Sequence, residues 1–157
     1  MKKAIVLDTC LMVLFVVGLT DQNYIEKHKN LYPVYNASHF RLLFNLLKSA
    51  SGIVCTAHIW TETSNLIRQI ANPARREIMF VFQQLIRTTR EVGISSASAT
   101  NSAGFIRLGL TDAAIISLDP ALFRIFSVDH DLIVAAHQHG FEVTNLTPLF
   151  LDTDAIF

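Results

Sequence analysis

From Ala4 to Leu19 every side chain is apolar or small except those of Asp8 and Thr9. The β-branched run Lys3–Leu7 ends at Asp8 and reads as a buried strand. Thr9–Gly18 then reads as a helix with Asp8 or Thr9 at its N-cap, where a short side-chain oxygen accepts from the free N–H groups of the first turn. Asp21–Asn36 is polar and carries Pro33, which predicts a loop or an irregular helical insert. Ser38–Ser49 repeats Phe40, Leu43, Phe44 and Leu47 at the helical period. Gly52–Cys55 predicts a second strand, and Ile59–Ala71 a helix stopped by Asn72-Pro73. Ala74–Arg90 predicts a longer amphipathic helix with Ile78, Phe82, Leu85 and Ile86 inward.

Val92–Ile94 predicts a short third strand, followed by a helix over 98–108. Thr111-Asp112 caps another helix through Leu118, halted before Pro120. Phe123–Val128 is the clearest late strand, Asp131–His139 a helix closed by Gly140, and Glu142–Leu146 the last strand. The tail after Pro148 is apolar and acidic by turns and suggests no element. Without repeats or linkers, strands alternating with helices predict one α/β domain over 1–157. Its architecture is a three-layer sandwich around a central, mostly parallel sheet.

A chain of 157 residues can bury a sizeable single core. Apolar residues make up 51% and charged ones 17%, with mean hydropathy +0.37, so part of the apolar excess is expected in a subunit interface. Thirteen basic and thirteen acidic side chains cancel, and no basic field of the kind that marks a nucleic-acid binder covers the whole chain. Cys10 and Cys55 are too few for a disulfide framework, and both are expected as reduced, buried thiols of a cytoplasmic protein. Lys2 and Lys3 before an apolar run resemble a secretory signal. However, Leu11–Leu19 is too short to span a bilayer, Asp8 would be costly inside one, and no small-x-small cleavage site follows. The segment is expected to belong to a soluble fold with no membrane partner.

Acids recur where elements begin or end: Asp8 after the first strand, Glu62 early in the third helix, Asp112 at a helix start, Asp129 and Asp131 after the late strand. Singly, the Asp residues read as N-caps and Glu62 as a solvated side chain. Jointly they suggest a site. Residues just beyond the C-terminal ends of parallel strands gather along one edge, where ligands bind. Convergent carboxylates in a cleft raise one another's pKa, and hard oxygen ligands select Mg²⁺ or Mn²⁺.

Four blocks carry a family resemblance: Ile5-Val6-Leu7-Asp8-Thr9, Thr61-Glu62-Thr63-Ser64-Asn65, Leu110-Thr111-Asp112-Ala113-Ala114-Ile115, and Phe126-Ser127-Val128-Asp129-His130-Asp131. In this order and at these spacings the chain resembles the PIN domain over nearly its whole length. The resemblance implies Asp8, Glu62, Asp112 and Asp129 as catalytic acids, and Asp8, Asp112 and Asp129 as Mg²⁺ or Mn²⁺ ligands with Asp131 as an accessory. Thr9 matches the hydroxyl residue beside the first acid and Ser127 the one two before the fourth. Where the family often has Asn two positions after the first Asp, Cys10 stands here.

The implied activity is RNA cleavage, a bound cation lowering the pKa of water for in-line attack on a phosphodiester. Many small members are VapC-type toxins that dimerise and are held inactive by an antitoxin. A homodimer and an antitoxin are therefore the implied protein partners, and RNA the substrate.

Lys27, Lys29 and Arg68 are candidate phosphate contacts, although solvated helix faces explain most of the basic residues. Asn65, one turn beyond Glu62, can hydrogen-bond a ligand or a carboxylate. His137-x-His139 lacks the further ligands of a zinc site, His130 reads as a loop residue, and Trp60 as core. A receiver domain would need paired acids after the first strand and a late Lys. A haloacid-dehalogenase-type phosphatase would need Asp-x-Asp where Asp8-Thr9-Cys10 stands. The stronger rival is a catalytically weak PIN-like module that binds RNA or a protein.

Overall fold

A computed structural model describes residues 2–155. Five strands, β1 (Ala4–Leu7), β2 (Ile53–Cys55), β3 (Arg90–Glu91), β4 (Phe123–Ser127) and β5 (Glu142–Asn145), form one sheet in the order β3-β2-β1-β4-β5. Every neighbouring pair is parallel, with Ile5 opposite Ile53 and Arg124, and Ile125 opposite Val143. The helices are α1 (Thr9–Thr20), α2 (Ala37–Lys48), α3 (Ala57–Ile67), α4 (Ala74–Thr88), α5 (Ser96–Ala99), α6 (Phe105–Leu108), α7 (Leu110–Ile116), α8 (His130–Gln138) and α9 (Thr147–Asp154). Because β2 and β3 step one way from β1 and β4 and β5 the other, right-handed crossovers put helices on both faces. The expected three-layer α/β sandwich is thus borne out.

The apolar run after Asp8 has a packing reason. Leu11 through Gly18 are all buried, and α1 touches α2, α3, α4 and β1, so its central turns are covered on every side and only its ends reach water. Gly18 permits this packing: a Cβ there would overlap the Phe40 ring. On α2, Phe40, Leu43 and Leu47 are buried as their period requires, while Phe44 is partly covered.

Several local expectations are corrected. The third strand lies at Arg90–Glu91 rather than 92–94: short β2 offers Val54 and Cys55 as partners, and Val92 N–H only completes the ladder at the Cys55 carbonyl, 2.8 Å. The helix expected over 98–108 is two four-residue turns, α5 and α6. Between them Ser102 Oγ accepts from Gly104 N–H at 3.3 Å, a side-chain alternative to helical bonding. Helix α3 begins two residues early, because Thr56 Oγ1 accepts from Ile59 N–H, and ends at Ile67 rather than Ala71.

Ile86 of α4 is 38% exposed rather than inward, and Cys10 keeps an exposed edge, although protein surrounds most of its thiol, rather than being fully buried. The insert is irregular as expected, with a 3-10 helix over Gln22–Lys27. The unplaced tail forms α9, held through Phe150, whose ring stacks on buried His39 at 4.6 Å. Among the described residues no helix is long and apolar enough to cross a membrane.

Candidate functional site

The strand order reverses between β1 and β4. At such a point the connections leave in opposite directions and open a crevice at the C-terminal ends of the strands. Asp8 follows β1 and Asp129 lies two residues past β4, so both acids stand at this crevice.

Asp8 is 3% exposed and is the N-cap of α1. Its Oδ1 accepts from Leu11 N–H at 2.8 Å; its Oδ2 accepts from the Ser127 hydroxyl at 2.5 Å and from Val128 N–H at 2.9 Å. Burial drives its pKa up, the three donors oppose that rise, and the charge of Asp129 adds to it. Ser127 Oγ also accepts from Asp129 N–H at 2.9 Å, so this one buried hydroxyl fixes the first acid and the backbone of the fourth.

Asp129 caps α8 through Leu132 N–H at 3.0 Å and is otherwise exposed. Asp112 differs. Gly109, with φ of 82°, starts α7 in place of the expected Thr111-Asp112 cap, which leaves Asp112 in the first turn. Half-buried and without a hydrogen-bond partner among the described residues, its carboxyl is pushed up to about 7, first by burial and then by Asp129, Asp8 and Glu62. Cys10 lies among the same acids: burial, then Asp8, Asp129, Glu62 and Asp112, push its thiol up to about 12.

Glu62 is exposed on α3 and contributes least to Asp112. It lines a cavity of about 410 Å³ with His58, Thr61, Asn65, Ser96 and Thr111, so Asn65 joins the site by that wall. Asp131 turns elsewhere, its Oδ1 accepting from Arg107 Nη1 at 3.1 Å with both side chains at least half exposed. Thr9 is buried, and its Oγ1 has no partner among the described residues.

Lys27 and Lys29 flank His28, whose Nε2 meets the Ile67 carbonyl at 3.2 Å. This contact brings the backbone of the insert to the end of α3, where Arg68 is the C-cap, roughly 9 Å along the axis from Glu62 at 1.5 Å per residue, while Lys27 Nζ lies over the Tyr24 ring at 5.9 Å.

Two neighbours of the site gave no sequence signal. Tyr35 lies near Cys10 and Asp8, and burial first, then those groups, raises its phenol; it sits in the insert, which lacks any period. His58 packs Nε2 against Ser96 Oγ at 3.0 Å while its buried Nδ1 has no partner, a pairing 38 residues apart that no local pattern encodes.

Among the described residues no three His, Cys, Asp or Glu side chains stand close enough together to hold a metal ion. The donor chemistry nevertheless fits a hard divalent cation: all candidates are carboxylate or hydroxyl oxygens, and Asp112 lacks any countercharge. Compared with known proteins, the chain matches no family model, no curated relative and no solved structure.

Proposed function

We propose that this protein is a Mg²⁺- or Mn²⁺-dependent, PIN-like endoribonuclease with its active site at the β1/β4 crevice. The observation that carries the reading is Asp112, an unpartnered acid raised to about 7 beside Asp129, Asp8 and Glu62. Among the described residues these carboxylates share a field without forming a closed ligand group, so a cation would have to draw them together while offsetting their mutual repulsion. Asp8, Asp112 and Asp129 would hold the ion, which supplies an activated water and offsets charge on the scissile phosphate. Ser127 keeps Asp8 and Asp129 in register, and Lys27, Lys29 and Arg68 receive more distant phosphates. Asp131, paired with Arg107, serves at most as an outer neighbour of the ion.

Dimerisation and an antitoxin belong to the same proposal, as does a cytoplasmic location. The exposed Phe80 and Ile86 of α4 are the apolar surface that supports a protein partner.

A second reading, a PIN-like module that binds RNA or protein without turnover, is favoured by the absence of a closed three-ligand group among the described residues. The two separate on a panel of structured and single-stranded RNAs incubated with Mn²⁺, with EDTA, and with Asp8→Asn. Metal-dependent cleavage lost in Asp8→Asn supports the nuclease. RNA retention without cleavage, unchanged in Asp8→Asn, sinks it.

A further inference from the structure

The cavity beside the acids has its own chemistry. It is a depression open to solvent, and its volume of about 410 Å³ is enough to seat one nucleoside against the wall of α3. Glu62 and Asn65 stand three residues apart on α3 and so share a face, and both line the cavity. Among the described residues neither side chain has a hydrogen-bond partner, so both are available to a ligand. Leu110 adds an apolar wall, and the His58 ring, tethered to Ser96 at 3.0 Å, offers a fixed flat surface. Thr111 on the same wall is the neighbour of Asp112, so a group in the cavity would lie next to the acids.

Single-stranded RNA is read when a base leaves the stack, packs on a flat side chain and bonds through its Watson–Crick edge. A carboxylate accepts two N–H groups side by side, and guanine alone among the four bases presents such a pair, N1–H and N2–H. Its O6 then takes an amide N–H. Uracil flanks one N–H with two carbonyls, cytosine sets two acceptors beside its amine, and adenine has a single donor next to N1. Each of these leaves an acceptor facing Glu62, and a carboxylate facing an acceptor is repelled.

We infer that the Glu62–Asn65 wall of this cavity is a guanine-reading pocket that places the adjoining phosphodiester at the β1/β4 crevice. The inference rests on the ribonuclease reading for its biological use and gives Glu62, exposed on α3, to the base in place of the catalytic role that the resemblance implies; the pocket itself can be tested alone.

The experiment titrates GMP, AMP, CMP and UMP, in Mg²⁺, into ¹⁵N-labelled protein and follows the Asn65 side-chain amide. GMP is expected to bind about tenfold more tightly than the others, within the discrimination of a good bidentate contact. Asn65→Ala and Glu62→Gln should each erase that preference, and circular dichroism of these variants checks that the fold is kept. Equal binding of the four nucleotides, or no shift at Asn65, overturns the pocket. RNA cleavage with no base preference also overturns it while leaving the nuclease standing. GMP preference without any RNA cleavage keeps the pocket and sinks the nuclease reading.

Discussion

Replacing Asp112 with Asn is expected to stabilise the fold, by an amount that depends on pH. In the folded protein this carboxyl titrates near 7 rather than near 3.8, raised by burial first and by Asp129, Asp8 and Glu62 after it. Each unit of such a rise corresponds to about 1.4 kcal/mol, so the penalty for carrying the charge is of order 4 kcal/mol. The sign follows from linkage. Below about pH 4 the group is protonated whether the chain is folded or not, and it contributes nothing. Between about 4 and 7 the unfolded chain releases its proton while the folded one keeps it, so stability falls. Above about 7 both forms are ionised and the loss is constant.

Asn keeps the side-chain shape and removes the charge. Urea denaturation at pH 4, 6 and 8 should therefore show the variant drawing ahead of wild type as pH rises, with a gain of a few kcal/mol at pH 8, about 10 °C in Tm for a chain of this length. Mn²⁺ should close that gap by stabilising wild type and leaving the variant unmoved. A variant no more stable than wild type at pH 8, or ahead by the same margin at every pH, would refute the reasoning.

Other outcomes follow from the same contacts. Ser127→Ala leaves the buried Asp8 Oδ2 without its short hydrogen bond and is expected to cost about 1–3 kcal/mol at neutral pH, read by the same denaturation; an unchanged midpoint would mean that the bond carries no weight. His39→Ala removes the ring stacked on Phe150 and its bonds to the Phe150 carbonyl and Asp154, so α9 should become the first site of limited proteolysis, while cutting elsewhere first would contradict that. Cys10, raised from 9.0 to about 12, should carry about a thousandfold less thiolate at pH 8 than an ordinary thiol and react correspondingly slowly with iodoacetamide, as peptide mass mapping would show. Alkylation at the rate of a free thiol would show that neither its desolvated setting nor the acids hold the thiol up.

Fold class was legible because pattern carries it: short, mostly apolar runs mark β1, β2 and β4, and the helical spacing marks α2 and α4. Legibility failed where tertiary pairing overrides local pattern. The β3 register depends on which residues of β2 are left to pair, and no apolar signal selects the exposed Arg90 and Glu91. The 98–108 segment has helical composition, but its serines and Gly104 bond locally. At the site, Asp8 and Asp129 were legible as acids at strand ends because an N-cap and a crevice residue occupy the same position. Asp112 was found for the wrong local reason, since Gly109 starts the helix and leaves the acid free. Tyr35 and His58 reach the site through long-range packing that a single sequence does not display.

The claim that these acids hold a cation is tested most directly by calorimetry of Mn²⁺ added to EDTA-treated, dialysed protein at pH 7. Saturable binding is expected, lost in Asp8→Asn and in Asp112→Asn. Because Asp112 titrates near 7, wild type should release about half a proton per ion, seen as a heat that varies with the buffer. No saturable heat, or binding undiminished in both variants, would contradict the claim and leave the carboxylates as caps and solvated side chains.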